Sequence, residues 1–160
     1  MKDVFLKPGD CFVGHRGQRV HTLLGSCVAI TLWHPPTGAG GMCHFLLAGR
    51  PPGASEDTRY GDVALGAMVR GLARLGVRAR DCEAKLFGGG AMFGRHGPYH
   101  IGRRNGEGAR ALLAQHAIVV CAHSLFGRGH RKVVFDLKTG DVWVQHAPGA
   151  VGPRGGEGAA

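Results

Sequence analysis

His21-Thr-Leu-Leu-Gly-Ser-Cys27-Val-Ala-Ile-Thr-Leu-Trp33, a polar reversal at His34-Pro35-Pro36-Thr37-Gly38, and then Gly40-Gly41-Met42-Cys43-His44-Phe45-Leu46-Leu47 form the stretch that decides the fold. Two apolar runs on either side of a cluster of turn residues predict a pair of strands, at 28–33 and 42–47. On strand alternation Val28, Ile30 and Leu32 face one side, and Ala29, Thr31 and Trp33 the other. Both sets are largely apolar, so this strand is expected to be buried on two faces. Gly25 and Ser26 interrupt the apolar run just before Cys27. A glycine there allows a sharp turn or a close backbone approach, and presents the next side chain at a strand end. If the two strands pair, Cys27 and His44 meet, and a thiol against an imidazole is the minimum apparatus for cysteine nucleophilic catalysis.

Working outward from that stretch, the short apolar segments at 10–16 and 18–24 read as strands around the turn His15-Arg16-Gly17. Residues 49–61 are rich in Pro, Gly and charge and lack periodicity, which predicts a loop at the rim of a site. Leu65, Met68, Val69, Leu72 and Leu75 recur at helical spacing, with Asp62 as the expected cap and Gly76 as the stop. Residues 83–87 read as a strand running into the triple glycine 88–90. Residues 101–105 read as a connection, with Asn105 capping a second helix whose apolar face is Ala109, Leu112 and Leu113. A strand at 118–121 and a hairpin of 132–135 with 142–144 follow. Strands, helix, strand, helix, strand and hairpin in that order predict an α+β fold, with helices packed on a mixed or antiparallel sheet. The chain of 160 residues is read as one domain over 1–147, followed at 148–160 by a Gly/Ala-rich tail with too little to bury and expected to be disordered.

The composition narrows the function classes. No apolar run approaches a membrane span, and the first residues lack the apolar region of a secretory signal. Five cysteines, odd in number and without a C-x-x-C pair, argue against a disulfide framework or a zinc ribbon and fit a reducing cytoplasm. The formal charge of +9 admits a nucleic acid or an acidic protein surface as partner. Its arginines are scattered, with no basic run of five or more, which favours general surface charge over a nucleic-acid face. Ten histidines raise a metal site of Cys27, His44 and His21, but the spacing matches no metal pattern. The triple glycine lacks the Gly-Lys-Ser/Thr ending of a phosphate loop, so no nucleotide cofactor is expected.

A free thiol is only slightly ionised at neutral pH, so a catalytic cysteine needs a neighbour that takes its proton. An imidazole does so, and then serves as general acid for a leaving group such as ammonia. Cys43 adjoins His44, but alternation sends the two to opposite faces. Thr22 offers a hydroxyl to orient the ring, a weaker partner than a carboxylate. The backbone N–H of Cys27, with that of Ser26, is a candidate oxyanion donor.

Leu24-Gly25-Ser26-Cys27-Val28-Ala29, Gly41-Met42-Cys43-His44, Tyr60-Gly61-Asp62-Val63-Ala64, Ala84-Lys85-Leu86-Phe87-Gly88-Gly89, Ile101-Gly102-Arg103-Arg104-Asn105 and Gly129-His130-Arg131-Lys132-Val133-Val134-Phe135 together resemble, in the same order, the CheD family of chemoreceptor glutamine deamidases. The resemblance implies an α/β/β sandwich with two main helices, related to bacterial toxin deamidases. It implies hydrolysis of glutamine side chains on the cytoplasmic helices of methyl-accepting chemoreceptors, giving glutamate and ammonia. The family's nucleophile and histidine fall on Cys27 and His44. Its threonine falls on Thr22, although the register of some members would put His21 in that slot. No cofactor is implied, and the phosphatase CheC, which regulates some members, is an implied candidate partner. The chain departs from the family at Ala122-His123-Ser124-Leu125-Phe126-Gly127, where an acidic residue and Gly-Gly are usual, and at the triple glycine Gly88-Gly89-Gly90 before Ala91, where two glycines and then an alanine are usual. A transglutaminase-like acyl transfer from the same pair, and a receptor adaptor without chemistry, are the competing readings.

Overall fold

The structure, a computed structural model, describes residues 2–92 and 99–147. The proposed tail at 148–160 lies outside the described residues. Nine strands are described, β1 (Lys2–Phe5), β2 (Cys11–Gly14), β3 (Gln18–Leu24), β4 (Val28–Trp33), β5 (Gly40–Phe45), β6 (Glu83–Gly88), β7 (Val119–Leu125), β8 (His130–Asp136) and β9 (Val142–Ala147). Two α-helices accompany them, α1 (Gly61–Arg74) and α2 (Tyr99–Gln115). The strands form a five-stranded sheet in the order β2-β5-β4-β6-β7 and a four-stranded sheet in the order β1-β3-β8-β9. Within them β1–β3 and β6–β7 pair in parallel and the other neighbours antiparallel, so both sheets are mixed.

The layering follows from the two-faced apolar strand. Val28, Ile30 and Leu32 of β4 join Phe45, Leu86 and the helix residues Leu65, Met68, Leu72, Ala109 and Leu113 in one core. Ala29, on the opposite face, joins Met42 and Phe87 with Val20, Leu24, Val133 and Phe135 of the four-stranded sheet in the other. The result is α/β/β: helices, five-stranded sheet, four-stranded sheet. Burial of each large apolar side chain contributes roughly 1.5–3 kcal/mol, and β4, central in the middle layer, contributes to both cores.

The sequence pattern misplaced several boundaries, each for a local reason. The strand expected at 42–47 starts at Gly40 and ends at Phe45, because the Leu46 and Leu47 N–H groups turn to the Arg59 carbonyl instead. β1 carries no alternation because it is a largely exposed edge strand. β2 and β3 do not pair with each other, and the turn at 15–17 carries the chain from one sheet to the other. Asp62 does not cap α1: Tyr60 holds the N-cap position, and the Gly61 and Asp62 N–H groups are taken by the Leu47 and Ala48 carbonyls. With those donors already satisfied, a side-chain cap is unnecessary. Gly76, at φ +78°, ends α1 as expected. Asn105 is not a cap either. It lies inside α2, which starts at Tyr99.

Among the described residues no helix is long and apolar enough to cross a membrane.

Candidate active site

β5 opposes β4 with His44 facing Ala29. His44 shares its face with Met42 and therefore points between the sheets, whereas Cys43 points into the helix-side core. Its backbone is held on the β2 side, where Gly9 N–H donates to the His44 carbonyl (2.7 Å) and His44 N–H donates to the Asp10 carbonyl (3.1 Å). The ring is 2% exposed. From the facing sheet, Thr22 Oγ1 lies 2.7 Å from His44 Nδ1 and 3.0 Å from the Leu6 carbonyl.

This arrangement decides the tautomer. A hydroxyl has one proton, and the Leu6 carbonyl can only accept. When the threonine O–H donates to Leu6, its oxygen must accept from Nδ1–H. The other ring nitrogen, Nε2, then carries the bare lone pair, and it is buried without a hydrogen-bond partner among the described residues. Burial pushes the His44 pKa down from 6.5 to about 4, against a smaller upward pull from the Asp10 carboxylate. The ring is neutral at neutral pH, with the form of a general base. His21 does not compete for the threonine position. Its Nε2 lies 2.9 Å from Asp3 Oδ1 and its ring stacks on Phe5, on the other face of β3.

Cys27 occupies the bend between β3 and β4, two residues before Ala29 and on the same face. Extending the β4–β5 register by one residue would make it the diagonal neighbour of His44, and such pairs have Cα atoms about 7–8 Å apart. The thiol is half-buried at the edge of the inter-sheet core. Burial raises its pKa, so at rest both the Cys27 thiol and the His44 imidazole are neutral, rather than the thiolate that ion pairing would require. The other cysteines sit elsewhere. Cys43 and Cys82 are buried, the Cys11 thiol donates to the Ala64 carbonyl (3.6 Å), and Cys121 is exposed on β7.

The bend is braced from below. Gly89 N–H donates to the Cys27 carbonyl and Gly90 N–H to the Gly25 carbonyl, each at 2.9 Å. Gly88 has φ +110°, and a β-carbon there would collide with the Cys27 carbonyl, so the triple glycine is required for this close approach. Behind it Arg131, 3% exposed, donates from Nε to Ser124 Oγ (3.0 Å), from Nη1 to the Gly88 carbonyl (3.2 Å) and from Nη2 to the Phe126 carbonyl. The segment that departs from the family pattern thus supplies two of the three acceptors for a buried guanidinium.

Two residues that sequence reasoning missed are Arg131 and Asn105. The Asn105 carboxamide, 2% exposed, bonds the Ser26 and Leu46 carbonyls and the Ala48 N–H. A signal existed for it: Asn105, Ala109 and Leu113 share one face at four-residue spacing, which puts a polar side chain on an apolar stripe. Asn105 also lines an open cleft of about 520 Å³ with Leu47, Ala48, Gly49, Pro51, Ile101 and Arg104. The predicted loop therefore borders a cleft that is linked to the cysteine bend through Asn105 and its bond to the Ser26 carbonyl. Among the described residues no three His, Cys, Asp or Glu side chains come together as a metal site would require.

Comparison with known proteins adds an independent observation. Residues 47–146 match the family model described as CheD chemotactic sensory transduction. The chain is 52% identical over 147 residues to the probable chemoreceptor glutamine deamidase CheD 2 of Albidiferax ferrireducens, covering 88% of this chain and 85% of that protein. It is 44% identical over 156 residues to the corresponding CheD 3 protein of Dechloromonas aromatica, covering 94% and 91%. It is 43% identical over 151 residues to a CheD protein of Pseudomonas savastanoi pv. phaseolicola, covering 91% and 85%.

Proposed function

We propose that this chain, which belongs to the CheD family, is a chemoreceptor glutamine deamidase that works through a Cys27 thioester. The observation that carries the reading is the Thr22–His44 hydrogen bond, which leaves the imidazole lone pair bare on the face that Cys27 shares. The relatives' names supply the substrate class, glutamine side chains of chemoreceptors.

The chemistry follows from the resting protonation states. As the glutamine carboxamide enters, His44 Nε2 takes the thiol proton while Cys27 Sγ attacks the carbonyl carbon. The carbonyl oxygen becomes an oxyanion opposite the Cys27 N–H. Collapse of the tetrahedral species breaks the C–N bond, and the imidazolium gives its proton to the departing nitrogen, releasing ammonia. Water then gives a proton to Nε2 and attacks the thioester. Its C–S bond breaks, the sulfur regains a proton from His44, and the glutamate leaves. Throughout, Nδ1–H stays on the Thr22 oxygen, which keeps the ring oriented.

The functional unit in this reading is residues 1–147, acting in the cytoplasm, where five unpaired thiols persist. A net charge of +9 favours encounter with an acidic receptor surface. The test is mass spectrometry of chemoreceptor helices incubated with the protein. The wild type should produce the mass gain of an amide becoming an acid, with ammonia in equal amount, and Cys27→Ala should fold normally and produce neither. Turnover by Cys27→Ala would end the thioester reading. Incorporation of an added amine in place of hydrolysis would make the protein an acyl transferase, and receptor binding without any mass change would make it an adaptor.

A further inference from the structure

We infer that Asn105 is a positioning residue that sets the direction of the oxyanion-stabilising N–H of Cys27, an inference that rests on the deamidase reading above. Both donors and the oxygen of its carboxamide are engaged: Nδ2 donates to the Ser26 carbonyl (3.1 Å) and the Leu46 carbonyl (2.7 Å), and Oδ1 accepts from Ala48 N–H (3.0 Å). Ser26 belongs to the bend that enters Cys27, and Leu46 to the segment that leaves the strand carrying His44. One buried side chain on a 17-residue helix therefore ties together the two halves of the site.

The consequence at Cys27 follows from peptide geometry. A trans peptide is planar, with its C=O and N–H pointing in opposite directions. Drawing the Ser26 carbonyl toward α2 turns the Cys27 N–H away from α2. On the other side of the same α-carbon, Gly89 N–H holds the Cys27 carbonyl at 2.9 Å. Both peptide planes flanking Cys27 are thus pinned by donors outside the bend. Among the described residues no acceptor takes the Cys27 N–H, so the donor stands ready for negative charge that develops later. Oxyanion donors act through such preorganisation, and a rigid helix holds them better than a loop does.

The experiment separates this role from simple stability. Asn105→Asp keeps the shape but removes both donors, and Asn105→Ser shortens the reach. Each variant is checked for folding by circular dichroism, then assayed for ammonia release from a glutamine-bearing chemoreceptor fragment and for alkylation of Cys27 by iodoacetamide. Alkylation displaces iodide at a saturated carbon and forms no oxyanion, so it needs the thiol and the base but not the donor. For the folded variants kcat should fall about 100-fold, the scale of losing one oxyanion donor, with KM and the alkylation rate close to wild type. Unchanged kcat, alkylation falling in step with kcat, or failure of both variants to fold would each overturn the inference. An inactive wild type would instead sink the deamidase reading and this inference with it, whereas an active wild type matched by both variants sinks only the role of Asn105.

Discussion

Thr22 Oγ1 and His44 Nδ1 meet at 2.7 Å across two different sheets, one side chain from β3 and the other from β5. The contact joins the two sheets through a buried polar pair in the inter-sheet space. Its strength depends on the Leu6 carbonyl, which takes the threonine proton and so leaves the oxygen to accept.

Thr22→Val keeps the shape and removes both bonds. It leaves a buried ring nitrogen and a carbonyl unpaired, at a cost of about 1–3 kcal/mol in stability. In the proposed mechanism kcat should also fall, because the imidazole is free to take the other tautomer. Thr22→Ser should recover most of both losses in denaturant melts and ammonia assays. Full activity in Thr22→Val would mean that the ring needs no partner.

The depressed His44 pKa predicts where activity is lost in acid. A general base that ionises at about 4 places the acid limb of kcat/KM near that value, well below the ordinary 6.5. A limb centred near 6.5 would show that the working imidazole is not the buried, desolvated one.

The same group links stability to pH. Its folded-state pKa of about 4 lies below the unfolded 6.5, so between these values the unfolded chain binds more protons. The contribution is complete above pH 6.5, drains away as the pH falls, and is gone below about 4, roughly 3 kcal/mol in all. Comparing wild type with His44→Gln by chemical denaturation isolates it: the stability difference between them should shift in favour of the variant across that window. A difference independent of pH would contradict it.

Gly88→Ala should disable the protein without touching the proposed chemical groups. The backbone there is at φ +110°, and the new methyl would meet the Cys27 carbonyl, so the cysteine bend must move. Loss of turnover with Cys27 and His44 intact, read beside a lowered melting temperature, is the expected outcome. An alanine variant with normal kcat would show that the bend tolerates displacement.

Arg131→Lys keeps the charge and loses the fork. An ammonium group cannot reach Ser124, Gly88 and Phe126 together as the guanidinium does, so about 1.5–3 kcal/mol of stability should be lost for each bond left unmade. Thermal unfolding measures this directly, and a variant as stable as wild type would mean that water replaces the lost bonds.

Much of this was legible in the chain itself. The two-faced apolar pattern of β4 predicts a middle layer, and period-2 alternation separates Cys43 from His44 before any coordinates exist. The helical stripe of α1 and its glycine stop were equally plain. These features are local, since spacing and side-chain type state them within a few residues.

What the sequence by itself determined, then, is which residues alternate, which face each takes within its own strand, and that a cysteine at a turn and a histidine in an apolar run bracket one polar reversal. Only the tertiary structure shows that Thr22, and not His21, meets the His44 ring, because alternation puts them on opposite faces without saying which face meets the second sheet. It also moved Asn105 from a helix cap to a clip, and put β2 and β3 in different sheets. The physical reason is common to all three. Each depends on groups remote in the chain, the Leu6, Ser26 and Leu46 carbonyls above all, whose convergence is set by how three layers pack rather than by any pattern a short segment carries.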